Sequence, residues 1–115
     1  MSDLITIGKI SEALSATVHV RGDFDKQVTK AAVGDLLSFV MGGDSDEAAW
    51  VTIQTHLNVA AVAVLKEIPL IILASGREPM SDLTARCEAE NIALITAAPS
   101  IYGVCLILGR LGLEG

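Results

Sequence analysis

Short apolar segments separated by polar turns make up the first third of the chain. An apolar stripe at helical spacing follows Thr6 and predicts a first helix that begins at this residue. The stripe consists of Ile7, Ile10 and Leu14. The next apolar runs predict strands at residues 16–20 and 28–33, and residues 21–23 predict a turn after the first of them.

A polar interruption follows the second predicted strand. Asp35 is positioned to cap a brief helix, which Gly42 and Gly43 would end. The acidic run at residues 44–47 then predicts an exposed loop. A cation site is the alternative interpretation of these carboxylates, and a solvated loop is the favoured one.

Strands and helices alternate regularly in the second half of the chain. Buried strands are predicted at residues 49–53, 70–73 and 92–95. Residues 59–65 are apolar on all sides, which suits a buried strand or a buried helix, and their alanine content favours a helix. Two further helices are predicted, one beginning at Pro79 or Ser81 and one running from the cap Ser100 to Gly112.

This order of elements predicts the fold class. Three successive strand–helix units with short connections imply parallel strands joined by right-handed crossovers. The strands are continuous apolar runs, as expected when helices cover both faces of a sheet. No repeat or linker divides the chain, so we expect one α/β domain over residues 1–115, with a mostly parallel sheet flanked by helices.

Composition and charge narrow the possible functions. Apolar residues make up 51% of the 115 residues, more than one small core needs, which predicts a homodimer. The net charge of −6, without a basic run, disfavours nucleic-acid binding. The uncharged stretch at residues 91–109 is divided by Pro99, so a strand and a helix are favoured over a membrane span.

The cysteines and the start of the chain indicate the compartment. Cys87 and Cys105 have no CxxC spacing and lie among small or apolar residues, which favours reduced thiols in a cytosolic protein. The first residues lack the basic start and the long apolar centre of a signal peptide. The sequence therefore predicts a cytoplasmic location.

Polar loops follow the three predicted parallel strands at the carboxyl edge, where open sheets bind ligands. These loops are residues 54–58, 74–79 and 96–100. Because each loop enters a helix, free N–H groups there are expected to favour a phosphate or a carboxylate. The candidate ligand-binding residues are Thr55, His56, Asn58, Ser75, Gly76 and Arg77.

Most of these candidates also have a structural interpretation. Thr55 can cap a helix, Gly76 can supply a positive φ angle, and Arg77 can pair with Glu78 or Asp82. Trp50, the only tryptophan, is favoured as a core or dimer-interface anchor over a stacking platform.

Catalytic motifs and metal-ligand spacings are absent from the sequence, so we predict no catalytic residue, cofactor or metal. His56 has no identifiable partner that would orient it. An enzyme that uses His56 is therefore the least favoured interpretation.

Three segments carry a resemblance to a known family: VGDLLS at residues 33–38, WVTIQTHLN at residues 50–58 and IILASGREP at residues 71–79. They resemble a stand-alone DRTGG-domain protein, over nearly the whole chain. Such domains are similar to the accessory domain of phosphotransacetylases and CBS-domain pyrophosphatases, and to the N-terminal domain of HPr kinase/phosphorylase. The resemblance implies an HPr kinase N-terminal-domain-like fold and a regulatory or assembly role, with the chemistry in other domains.

The sequence departs from the residues that give the DRTGG family its name. Thr55 and His56 occupy the Asp-Arg positions, and residues 74–76 occupy the Thr-Gly-Gly positions, so only Gly76 is retained. The favoured hypothesis is a non-catalytic regulatory or protein-interaction module that forms a homodimer. The alternative is a sensor domain that binds a small anionic ligand such as a nucleotide.

Overall fold

The computed structural model describes residues 4–34 and 47–115. Within these ranges the elements are α1 Ile7–Ala13, β1 Thr17–Val20, β2 Ala31–Val33, β3 Ala49–Thr52, α2 Asn58–Leu65, β4 Leu70–Leu73, α3 Ser81–Ala89, β5 Ala93–Thr96 and α4 Ile101–Leu111. The brief helix predicted after Asp35 and nearly all of the acidic loop lie outside the described residues.

The strands form one sheet in the order β1-β5-β4-β3-β2. Strands β2, β3, β4 and β5 run parallel to one another, and β1 pairs antiparallel with β5 at one edge. The predicted α/β class with a mostly parallel sheet is confirmed. The antiparallel edge strand was not predicted, since the pairing of β1 with β5 joins segments far apart in the chain.

Helices cover both faces of the sheet, which makes three layers. Ile71 and Ile72 are neighbours in β4, and their side chains enter the cores on opposite faces. One core joins the sheet to α1 and α4, and the other joins it to α2 and α3. Both residues are fully buried, as are their counterparts Leu94 and Ile95 in β5, which explains why β4 is apolar at every position and β5 at every position except Thr96.

The predicted helix ends are largely confirmed. Thr6 accepts a hydrogen bond from the Lys9 N–H at the start of α1, and Ser100 accepts one from the Gly103 N–H at the start of α4. Gly112 ends α4 with a left-handed φ of 108°. Of the two proposed starts for α3, Ser81 is correct.

The strand predicted at residues 28–33 is shorter in the structure, where β2 begins at Ala31. The preceding residues pair with other segments: Gln27 forms a bridge with Thr6, and Lys30 forms one with Glu114. No helix within the described ranges is long and apolar enough to cross a membrane.

Candidate functional site

The loops after β4 and β5 are joined by backbone hydrogen bonds at the carboxyl edge of the sheet. The Ser75 N–H donates to the Pro99 carbonyl at 2.6 Å, and the Gly76 N–H donates to the Ala97 carbonyl at 2.9 Å. Ser75 and Gly76 both adopt left-handed φ angles, of 59° and 64°, which turn these amides toward the β5–α4 loop. The structural interpretation of Gly76, a positive φ, is therefore confirmed.

These hydrogen bonds change the expected chemistry of the β4–α3 loop. The Arg77 N–H also has a partner, the Ala74 carbonyl at 3.2 Å, so all three amides of residues 75–77 donate within the fold. The helix that follows begins only at Ser81. The sequence predicts free amides in this loop, and the structure differs because two adjacent loops fold against each other. The exposed side chains of Ser75 and Arg77 are what the turn offers to a ligand.

The loop after β3 reaches the same edge of the sheet. The Met80 N–H donates to the Thr55 carbonyl at 3.1 Å, and Nδ1 of His56 lies 3.2 Å from the sulfur of Met80. Thr55 does not cap α2, because that helix begins at Asn58, directly after Leu57. His56 and Asn58 are exposed, and Thr55 is half-buried. The structure thus brings the predicted residues of the first two loops to one edge.

Arg77 presents an exposed guanidinium group at this edge. The two pairings considered for it, with Glu78 and with Asp82, are absent, and it forms no ion pair with any residue that the structure describes. The carboxylate of Glu78 instead lies 3.6 Å from Nε2 of His19. Within the described residues, the backbone of Arg77 is fixed in the loop while its side chain stays available to a ligand.

His19 also lies at the carboxyl edge of the sheet, although the sequence did not indicate it as a candidate residue. The pairing of β1 with β5 shifts register between Val18 and Val20, and Nε2 of His19 lies 2.8 Å from Oγ1 of Thr96. The Thr96 hydroxyl in turn donates to the Arg77 carbonyl at 2.8 Å. A local sequence signal for this contact is lacking, because it depends on the antiparallel pairing of distant segments.

Trp50 and the two cysteines take structural positions. Trp50 is 0% exposed, and its Nε1–H donates to the Gly34 carbonyl at 3.0 Å, which supports a core role over a stacking platform. Burial raises the pKa of the Cys87 thiol to about 11, and it also raises the pKa of Cys105. A high pKa keeps a thiol protonated and a poor nucleophile. No group of three or more His, Cys, Asp or Glu side chains in the described ranges is arranged to hold a metal ion.

The carboxyl edge therefore carries a guanidinium, an imidazole, hydroxyl groups and an amide on a surface tied together by the backbone. These groups can hold an anion through charge and hydrogen bonds. General acid–base catalysis needs more, because a catalytic imidazole is normally oriented by a polar partner, and His56 contacts a thioether. The arrangement is suited to recognition.

Comparison with solved structures agrees with this fold. The crystal structure of the CBS and DRTGG domains of the regulatory region of a Clostridium perfringens pyrophosphatase, complexed with its activator diadenosine tetraphosphate, superposes with a TM-score of 0.72. The match covers 89% of this chain and 45% of that one, at 15% sequence identity. This chain thus spans less than half the length of its structural neighbour, and the likeness is one of fold. No protein-family model and no curated protein matches the sequence.

Proposed function

We propose that this chain is a non-catalytic regulatory or protein-interaction module, a single domain of the DRTGG type. The observation that carries the proposal is the set of backbone hydrogen bonds that join Ser75 to Pro99, Gly76 to Ala97 and Met80 to Thr55. They fix an exposed polar surface at the carboxyl edge. His56 contacts a thioether there, and the Thr96 hydroxyl beside His19 donates its hydrogen to the Arg77 carbonyl, so this hydroxyl is held as a structural group. The fold likeness to a regulatory region adds support.

The module is proposed to act in the cytoplasm as a homodimer, without nucleic acid. Cys87 and Cys105 are free thiols, which is typical of a reducing compartment. Three apolar side chains lie exposed on β2 and α4, the two elements that border one groove: Val33, which lines the groove, is 42% exposed, and Tyr102 and Leu106 of α4 are 72% and 42% exposed. Apolar side chains gathered in this way favour contact with a second copy of the chain.

Sedimentation measurements on the purified chain at micromolar concentration test the homodimer. We expect the mass of a dimer for the wild type and of a monomer for Leu106→Glu, because a carboxylate buried in an apolar contact is strongly disfavoured. The matched control is Leu65→Glu. Leu65 is 69% exposed, and it belongs to α2, which packs on the opposite face of the sheet from α4. A monomeric wild type would contradict the homodimer, and dissociation by the control as well would contradict the proposed surface.

A sensor of a small anionic ligand is the second candidate function, and the exposed guanidinium of Arg77, which forms no ion pair with a described residue, favours it. The proposed contacts are the side chains of Thr55, His56, Asn58, Ser75 and Arg77, with Gly76 allowing close approach of the backbone. The structural neighbour was solved with a nucleotide activator, so nucleotides are the first ligands to test.

A thermal-shift screen of nucleotides and phosphorylated metabolites tests the sensor. A ligand at 100 times its dissociation constant adds about 2.7 kcal/mol to the free energy of unfolding and raises the melting temperature by several degrees. We expect Arg77→Ala to abolish this shift and Arg110→Ala, a cation of α4, to retain it. If no compound shifts the melting temperature, the sensor is wrong and the interaction module stands alone.

A further inference from the structure

A cavity of about 460 Å³ lies between α1 and the connection from β1 to β2. It lies toward the amino edge of the parallel strands. Strand β1 runs antiparallel to β5, so the chain leaves β1 next to the start of β5, where Gly22 approaches Ala93. The loops considered above are at the opposite edge. The volume falls within the range of about 300–1,000 Å³ that small-molecule sites occupy.

The cavity wall on α1 contains Gly8 and Ser11. The Gly8 N–H donates to the Phe24 carbonyl at 2.9 Å, which holds Phe24 against the helix. Ser11 is only 6% exposed and lines the cavity, and its hydroxyl oxygen, which has no hydrogen-bond partner among the described residues, is accessible to solvent. A hydroxyl that solvent can reach can also donate to, or accept from, a molecule in the cavity.

Charged side chains of both signs surround this wall. Lys9 and Arg21 are cationic, Glu12 and Asp25 are anionic, and all four are exposed. None of them forms an ion pair with a residue in the described ranges. The Arg21 guanidinium lies 4.5 Å from the centre of the Phe24 ring, and this contact restrains the cation at the cavity.

We propose that this cavity binds a small zwitterion, of which a free α-amino acid is the simplest. Its carboxylate contacts Arg21 and Lys9, its ammonium group contacts Glu12 or Asp25, and the Ser11 hydroxyl bonds to either group. A phosphate or a nucleotide is disfavoured, because the two carboxylates at the cavity repel a ligand that carries only negative charge. The site is independent of the function proposed for the carboxyl edge.

Two-dimensional NMR titration of the full chain tests this proposal with the twenty L-α-amino acids at up to about 10 mM, the range in which weak millimolar binding is still visible. We expect saturable shifts of the amides of residues 8–12 and 21–25 with at least one amino acid. Arg21→Gln should weaken this binding by about tenfold or more, since it removes a charge-assisted hydrogen bond. Arg110→Gln is the matched control and should bind like the wild type.

The N-acetyl derivative of the best ligand decides whether both charges matter. It keeps the carboxylate and loses the ammonium group, so we expect it to bind at least several-fold more weakly, and Glu12→Gln to narrow that difference. Equal affinity for both forms would overturn the zwitterion, and unchanged binding in Arg21→Gln would overturn the site. Linear, unsaturable shifts with all twenty amino acids would overturn the proposal as a whole.

Discussion

Nε2 of His19 and Oγ1 of Thr96 lie 2.8 Å apart, although 77 positions separate the two residues in the chain. The Thr96 hydroxyl has a single hydrogen, which it donates to the Arg77 carbonyl. Nε2 of His19 must therefore carry the hydrogen of the first contact, so neutral His19 is the Nε2–H tautomer. These two hydrogen bonds join β1, β5 and the loop that carries Arg77.

Substitution of Thr96 by valine removes both hydrogen bonds while nearly preserving the side-chain volume. We expect the free energy of unfolding to fall by about 1–2 kcal/mol, because the Arg77 carbonyl loses its hydroxyl donor and the His19 N–H loses its acceptor. Urea unfolding of the wild type, Thr96→Val and Thr96→Ser measures the effect. Thr96→Ser keeps the hydroxyl and should lose less than Thr96→Val. Equal losses would contradict the two hydrogen bonds.

Long-range proton–nitrogen NMR spectra recorded above the titration range of histidine check the tautomer directly. We expect the wild type to show His19 with hydrogen on Nε2, and Thr96→Val to gain the Nδ1–H form. A wild type with hydrogen on Nδ1 would reverse the direction of the His19–Thr96 hydrogen bond and contradict the relay.

Two glycines with similar backbone angles should tolerate alanine very differently. Gly22 has a φ of 56° and Gly76 a φ of 64°, so alanine at either position adopts a left-handed conformation that costs about 1–2 kcal/mol. A Cβ on Gly76 meets no atom within 4 Å, whereas one on Gly22 would lie 2.5 Å from the backbone nitrogen of Ala93. We expect Gly22→Ala to lose about 3 kcal/mol or more in total, since backbone must also shift.

Urea unfolding of the two variants side by side separates the cost of the left-handed φ from the cost of the close contact with Ala93. Gly76→Ala is the matched control, because it changes the residue at a similar φ without adding a close contact. Losses of the same size in Gly22→Ala and Gly76→Ala would mean that β1 and the start of β5 are not in the close contact described.

The sequence predicted those helices whose cap and apolar stripe lie within one short segment of the chain. The helix after Thr6 and the helix from Ser100 to Gly112 follow from a cap and an apolar stripe, and both are where the sequence predicts them. The three loops meet at one edge because the strands before them are parallel, which the strand–helix order implies.

Contacts between distant segments escaped the sequence patterns. The antiparallel pairing that brings His19 to Thr96 leaves no local signal, because the sequence of a short strand such as β1 does not reveal which strand it pairs with. The amides of Ser75 and Gly76 donate outside their own loop. Their acceptors, the carbonyls of Pro99 and Ala97, belong to another loop, and the sequence does not show that the two loops touch. The sequence thus shows which polar groups each loop carries, but not which residues these groups bind in the fold.

The buried thiol of Cys87 gives the stability of the fold a specific dependence on pH. Burial raises the pKa of Cys87 in the folded chain from 9.0 to about 11. As the pH rises above 9, the unfolded chain loses this proton while the folded chain keeps it, so the unfolded state is favoured. We expect the free energy of unfolding to fall between pH 9 and pH 11, with this contribution levelling off above pH 11.

Comparison with Cys87→Ala isolates the contribution of this thiol from the other groups that titrate in the same range. The variant is expected to be less stable at pH 7, since the site is fully buried, and to lose less stability than the wild type between pH 9 and pH 11. Parallel pH profiles for the two proteins would contradict the raised pKa.

Trp50 should behave as a core residue at every protein concentration. Its side chain is fully buried within the single chain, and its indole N–H is bonded to the Gly34 carbonyl. We therefore expect its fluorescence to be blue-shifted relative to the urea-unfolded chain and to be quenched by acrylamide several-fold less efficiently, because the quencher must reach the ring. A dimer-interface anchor would instead become more quenchable as dilution dissociates the dimer. Quenching measured across the dissociation range distinguishes the two roles, and a rise on dilution would contradict the core position.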